Sequence, residues 1–182
     1  MMKARELGIT LDEKAPSTSD ILAHIKKLEK EGYEFEAADA SFELLVRRSL
    51  EKLPAPFQLD SYKVEVARAR PKARETSKAT VVVRVGKQAR KTSATGDGPV
   101  NALDAALRKA LLPAFPTLKK LKLIDYKVRI VNSRGGTAAR IRVLVESTDG
   151  QREWGTVGVS TNILEASAHA LVDSLSYFLL PR

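Results

Sequence analysis

A pattern set between residues 57 and 113 of this 182-residue chain returns between residues 121 and 180. Tyr62-Lys63-Val64 comes back as Tyr126-Lys127-Val128, an offset of 126 − 62 = 64, and the same offset lays Ala106 on Ala170, Leu107 on Leu171 and Leu111 on Leu175. In the first copy, Tyr62, Val64 and Val66 alternate with Lys63 and Glu65, which predicts a half-buried strand. A β-branched run at residues 80–85 predicts a second strand, and residues 87–95 offer a third with a weaker pattern. A helix then starts at Pro99, carries Val100, Leu103, Leu107 and Leu111 on one stripe with Ala102, Ala106 and Ala110 beside it, and stops at Pro113. The second copy runs the same way. Tyr126, Val128 and Ile130 alternate, as do Ile141, Val143 and Val145; Thr148-Asp149-Gly150-Gln151 makes a hairpin turn toward Trp154, Thr156 and Val157; and a last helix carries Ile163, Ala166, Ala170, Leu171, Leu175 and Phe178. A tripeptide and two leucine stripes can coincide by chance, but four elements agreeing in kind and order point to a duplicated βββα unit. Helices on one sheet face give an α+β layering that leaves the other face or an edge for a partner.

Ahead of the repeats lies an αα arm, residues 16–56. Ser17, Ser19 and Asp20 offer capping oxygens before Ile21, Leu22, Ile25 and Leu28, and Gly32 can close that helix. Phe42, Leu45, Val46, Leu50 and Leu53 define a second helix, ended by Pro54-Ala55-Pro56. Residues 1–15 are polar and aperiodic, a disordered lead-in whose doubled Met reads as a truncated or engineered start. The expected architecture is therefore α+β: a helical arm at 16–56 and a duplicated βββα domain at 57–182, with repeats at 57–113 and 121–180.

Chemistry is bounded mostly by exclusion. The absence of cysteine removes disulfides, thiol nucleophiles and thiolate metal sites. His24 and His169 stand far apart on predicted helices without a companion ligand, so neither a metal site nor a catalytic residue is expected. Gly86-Lys87-Gln88-Ala89-Arg90-Lys91 lacks the later Gly-Lys-Ser/Thr of a nucleotide loop, and Asn132-Ser133-Arg134-Gly135-Gly136 reads as a turn between strands. No run approaches the roughly 18 apolar residues of a membrane helix, and no signal peptide opens the chain, so a cytoplasmic protein is expected. Thirty-one Lys and Arg against 22 Asp and Glu leave a net charge of +9, concentrated at residues 68–74 and 86–91. That charge raises nucleic acid as a partner. Only 5% of residues are aromatic and none interleaves these clusters, which disfavours a stacking platform.

Gly96-Asp97-Gly98-Pro99-Val100-Asn101-Ala102 stands out because glycines lead into a helix whose first turn Pro99 fixes. The N–H groups of such a turn and the positive end of the helix dipole suit a carboxylate. The same residues are also plain helix-start chemistry, and physics alone leaves both readings open.

This heptapeptide resembles the Gly-Asn/Asp-Gly-Pro-Val-Asn/Asp-Ala signature in the C-terminal regulatory domain of 2-isopropylmalate synthases and citramalate synthases. Asp125-Tyr126-Lys127-Val128, Gly136-Thr137-Ala138-Ala139 and the segment from Trp154 to Ser167 resemble later motifs of that family in the same order. The likeness covers roughly residues 20–180, and the arm segment Gly32-Tyr33-Glu34-Phe35-Glu36-Ala37-Ala38-Asp39-Ala40-Ser41-Phe42 is more similar to the citramalate synthase branch. The resemblance implies a homodimeric, duplicated βββα domain that binds a pathway end-product near its dimer interface, isoleucine in the citramalate branch and leucine in the other. It also implies a catalytic TIM barrel, elsewhere in the enzyme, that uses a divalent metal and acetyl-CoA. The barrel's His-x-His metal motif has no counterpart here, so no cofactor and no acyltransferase activity are expected of this chain alone. Two positions depart from the pattern: Asp97 stands where Asn is common, and Thr137 lacks the acidic residue that often follows it.

On this reading the effector-binding residues are Gly96, Asp97, Gly98, Pro99, Val100, Asn101, Ala102, Leu121, Ile124, Val128, Thr137 and Ala138. The amino acid's carboxylate meets the helix start, and its branched side chain packs on Val100, Leu121, Ile124, Val128 and Ala138. Leu121 and Val128 serve equally well as core residues. Two other functions stay open beside feedback inhibition: a basic nucleic-acid module of α-βββ-α order, and a purely structural dimerisation domain.

Overall fold

The computed structural model describes residues 16–51, 54–131, 136 and 138–180. Helix α1 (Pro16–Lys30) begins at its proline, earlier than the caps expected at Ser17, Ser19 and Asp20, which fall inside the helix. Proline suits a first helical position because its fixed φ is already helical and no acceptor is needed for its nitrogen. The helix closes at Gly32, which takes φ +103°; its N–H donates to the Glu29 carbonyl and the Tyr33 N–H to that of Leu28, each at 3.0 Å. Helix α2 (Asp39–Glu51) follows, with Phe42, Leu44 and Val46 buried; Leu53, expected on its stripe, lies outside the described residues.

The first repeat is an antiparallel sheet of order β1-β2-β3, made of β1 (Gln58–Ala67), β2 (Thr76–Val85) and β3 (Gln88–Gly96), followed by helix α3 (Pro99–Leu111). Ala79, Val81 and Val83 of β2 are buried, as are Ala102, Leu103, Ala106, Leu107, Ala110 and Leu111 of α3. A 3-10 turn (Pro116–Lys120) leads out of this repeat. The second repeat has the order β4-β5-β6, with β4 (Lys122–Ile130), β5 (Ile141–Thr148) and β6 (Glu153–Ser160), followed by helix α4 (Ile163–Phe178).

The offset of 64 carries through to atomic detail. Ser77 pairs with Gly96 across β2 and β3, and Ile141 with Ser160 across β5 and β6, both members shifted by 64. The hairpin glycines Gly86 and Gly150, also 64 apart, both take positive φ, 56° and 89°. Thr92 Oγ1 donates to the Ala106 carbonyl at 2.9 Å, and Thr156 Oγ1 to the Ala170 carbonyl at 2.8 Å, the same strand-to-helix bond made twice. The weakly patterned third strand is β3, whose small and polar side chains hide its periodicity. Val66, Val128 and Ile130, expected on half-buried strands, are instead 53%, 43% and 66% exposed.

By contact, the chain divides into two compact units: the arm with Leu123–Tyr177, and Ala55–Lys122 with the last few residues. In the first unit the arm docks on β6. The Ser41 Oγ accepts the Val157 N–H at 3.0 Å, and Ile21, Ile25, Phe35, Phe42 and Val46 pack with Val157 and Val159. Any side chain at Gly155 would collide with the Ala37 carbonyl, and any at Gly158 with the Ala166 carbonyl on the α4 side. Glycine at these two sites lets backbone approach the strand from both faces. At the equivalent positions the repeats have diverged. Leu144, Val157 and Val159, which meet the arm, correspond to Thr80, Ser93 and Thr95 in the first repeat. There Thr80 and Ser93 bond one another through their hydroxyls at 2.8 Å.

Candidate functional site

The two helix starts of the duplication differ in a way that bears on ligand binding. In the second repeat Asn162 caps α4: its Oδ1 accepts the Leu164 N–H at 2.9 Å, while Ser160 Oγ accepts the Asn162 N–H at 3.0 Å and donates to Glu165 at 2.5 Å. A side-chain oxygen and a first-turn carboxylate thus close that end. In the first repeat the capping position is Gly98, extended at φ −159°, with no side-chain cap and no acidic residue in the first turn. Asn101 turns backward, its Oδ1 accepting the Asp97 N–H at 3.2 Å, and the first intrahelical bond runs from the Ala102 N–H to the Gly98 carbonyl at 2.9 Å. The first-turn amides of Val100 and Asn101 lie ahead of that bond, at an end where helix geometry supplies no partner and the dipole is positive.

Gly96 shapes this turn. A side chain there would run into Asn101 Oδ1 and lie 2.5 Å from the Ala102 nitrogen, whereas a Cβ on Gly98 would meet nothing within 4 Å. The tight inner turn and the open outer one are both built from glycine, for opposite reasons. Asp97, whose charge opposes an anion at this end, is ion-paired with Arg74 at 2.9 Å. Arg74 belongs to the basic run 68–74, and its role there becomes visible only in three dimensions, 23 positions from Asp97. In the same run Arg68 pairs with Glu75 at 2.5 Å, so part of this basic cluster is answered locally.

The other expected residues take different places. Leu121 is a core residue, 4% exposed, and its carbonyl accepts from Arg108 at 2.8 Å. Arg108 stands nine positions after Pro99, about 13 Å along the helix axis, so Leu121 packs toward the far end of α3. Ile124 and Val128 lie on β4 and are 46% and 43% exposed, and Ala138 is also exposed. They belong to the other compact unit. Thr137 and residues 132–135, where a turn was expected, lie outside the described residues. Among the described residues no group of three or more His, Asp or Glu is placed to hold a metal ion. No helix of the described residues is long and apolar enough to cross a membrane.

A second constellation, which no sequence motif marks, lies in the arm's unit. Asp173 of α4 accepts from Ser41 Oγ at 2.8 Å and from Arg48 at 3.3 Å, and burial pushes its carboxyl above the ordinary value despite Arg48 beside it. The three residues come from α2 and α4, more than 120 positions apart in sequence, so spacing carries no signal of them.

Two βββα units of one pattern, one with a closed helix start and one with an open start, make a duplicated domain of α+β class. The chain matches the LeuA allosteric (dimerisation) domain over residues 36–179, and it belongs to that family. Among its curated relatives are the (R)-citramalate synthases of Aquifex aeolicus, 52% identical, and Geobacter sulfurreducens, 49% identical, each alignment covering 98% of this chain. The 2-isopropylmalate synthase of Methanocaldococcus jannaschii is 29% identical over 99% of the chain. The chain spans only about a third of these relatives, 34%, 34% and 33% of their lengths.

Proposed function

We propose that this domain senses a branched-chain amino acid and confers feedback inhibition on an acyltransferase of the citramalate synthase or 2-isopropylmalate synthase type. The observation that carries the reading is the uncapped start of α3, within a family described as allosteric, at the one helix start of the two that lacks its own cap. The effector's carboxylate meets the N–H groups of Val100 and Asn101, with Arg74 offsetting Asp97. Higher identity to the citramalate synthases than to the 2-isopropylmalate synthase favours isoleucine, with leucine the alternative. Catalysis, with its divalent metal and acetyl-CoA, belongs to a TIM barrel in the two thirds of such enzymes that this chain does not span. The domain works as a homodimer: Ile124, Val128 and Ile130 on the outer strand β4 are the kind of apolar row that a second copy covers.

Isothermal titration with isoleucine, leucine, valine and threonine tests the sensor. Binding of one branched-chain amino acid is expected, and it should be lost when Gly98→Asp and Pro99→Ala are combined, since an aspartate at the open cap competes for the same amides. No response in a preparation shown by sedimentation to be dimeric would sink the reading and leave a purely structural dimerisation domain. Leu121, 4% exposed, serves the core of its repeat, one of the two roles open to it.

A further inference from the structure

Helices α1, α2 and α4 and the connection after α1 line an open cleft of about 240 Å³ within the arm's unit. Leu28, Leu45 and Phe35 supply an apolar wall, Arg48 and Asp173 the charged pair, and His24, Tyr33, Ser41 and Ser49 the remaining polar lining. Drug-sized pockets run to roughly 300–1,000 Å³, so this one is of the size that takes a small metabolite. Asp173 is mostly buried, its side chain 21% exposed, and its neutralisation is incomplete: Ser41 donates a neutral hydrogen bond, and the only cation within bonding reach among the described residues is Arg48 at 3.3 Å. Arg48 is itself 38% exposed and uses one of its five donors on Asp173. A carboxylate held this deep is best satisfied by a close, well-oriented cation, which a long contact to a half-solvated guanidinium does not provide.

A negative and a positive group side by side, facing an aliphatic and aromatic wall, mirror a molecule that carries both charges on one carbon and an apolar side chain. We infer that this cleft is a second ligand site, for a small zwitterion of the α-amino acid class. Its ammonium displaces Arg48 from Asp173, and the freed guanidinium takes its carboxylate. Because the cleft is shared by the arm and α4, an occupant holds the two together and stabilises the arm's docking by mass action. The site is independent of the α3 start and stands or falls separately from it.

The test is a titration of ¹⁵N-labelled protein, followed by two-dimensional NMR, with leucine, isoleucine, 3-methylbutylamine and 3-methylbutanoate. Leucine or isoleucine should move the amide signals of Ser41, Leu45, Ser49 and Asp173. The amine, which keeps only the ammonium, should do so more weakly, and the carboxylate alone least. Asp173→Asn should weaken amino-acid binding in the cleft by more than about tenfold, the loss of one charge-assisted hydrogen bond. Arg48→Met, at a more solvated position, is the second variant and should weaken it similarly, while Gly98→Asp should leave the cleft shifts unchanged. Shifts confined to residues 96–102 would overturn this site and leave the sensor proposal standing; shifts confined to the cleft would do the reverse. Equal affinity in wild type, Asp173→Asn and Arg48→Met would overturn the exchange of partners.

Discussion

Gly158 and Gly98 sit 60 positions apart and answer opposite demands, which makes them a useful pair of probes. At Gly158 the α4 backbone occupies the space a side chain would need, so Gly158→Ala should cost about 1–3 kcal/mol through forced separation of strand and helix. At Gly98 the space is open and the backbone extended, so Gly98→Asn should stabilise the domain by about a few tenths of a kcal/mol, supplying in the first repeat the side-chain cap that Asn162 supplies in the second. Urea denaturation of the two variants checks both signs, and the sensor proposal adds that the stabilised Gly98→Asn protein binds its effector less well. Asp173 gives a test by pH. Its carboxyl holds its proton more tightly folded than unfolded, so the unfolding free energy falls as pH rises from the ordinary value of 3.8 through the raised one. Asp173→Asn should remove that downward slope, although Arg48, Ser41, Tyr33 and His169 all act on the same carboxyl. Urea midpoints measured across that range decide it; an unchanged slope in the variant would contradict the assignment.

Among the elements, the strand-to-helix bonds from Thr92 and Thr156 tie each sheet to its own helix. Thr156→Val should cost about 1 kcal/mol, with a similar loss for Thr92→Val, if the duplication uses one device in two places. Ser41→Ala should cost about 1–3 kcal/mol, because it strips the acceptor from the Val157 N–H and a donor from Asp173 at once. Chemical denaturation of these variants measures each loss. The repeat was legible in sequence because its signal is periodic: the recurrence of Tyr-Lys-Val and of two leucine stripes reports which faces are buried, and burial follows period. The docking of the arm on the second repeat was present too, as Leu144, Val157 and Val159 against Thr80, Ser93 and Thr95, but it shows only once the two sheets are aligned residue by residue. Helix starts were half legible. Gly98-Pro99 announces one, whereas the ion pair that tempers Asp97 comes from a loop 23 positions earlier. The cleft at Asp173 was illegible because helical spacing puts Ser41, Leu45, Arg48 and Ser49 on one face of α2 but says nothing of a carboxylate 125 positions beyond Arg48.

For the whole molecule, self-association and ligand response are the measurable consequences. The apolar residues left on β4 should hold two copies together, so Ile130→Glu should shift the sedimentation of the domain toward the monomer while leaving its circular dichroism unchanged. If the sensor works through the dimer, the same variant should lose affinity for the effector, since a coupling between assembly and ligand acts in both directions. The duplication thus leaves two related halves with different tasks: one keeps an open helix start, and the other has turned a sheet face apolar to receive the arm. The backbone amide of Val157 is met by a serine hydroxyl from the arm, so the helices act as a cover on a strand that would otherwise be a template for other chains. A version of the domain shortened to begin after residue 56 should therefore become sticky, and light scattering should show it growing into larger aggregates at concentrations where the full chain does not. The arm would then be a safeguard against misassembly, built into the sequence immediately ahead of the first repeat.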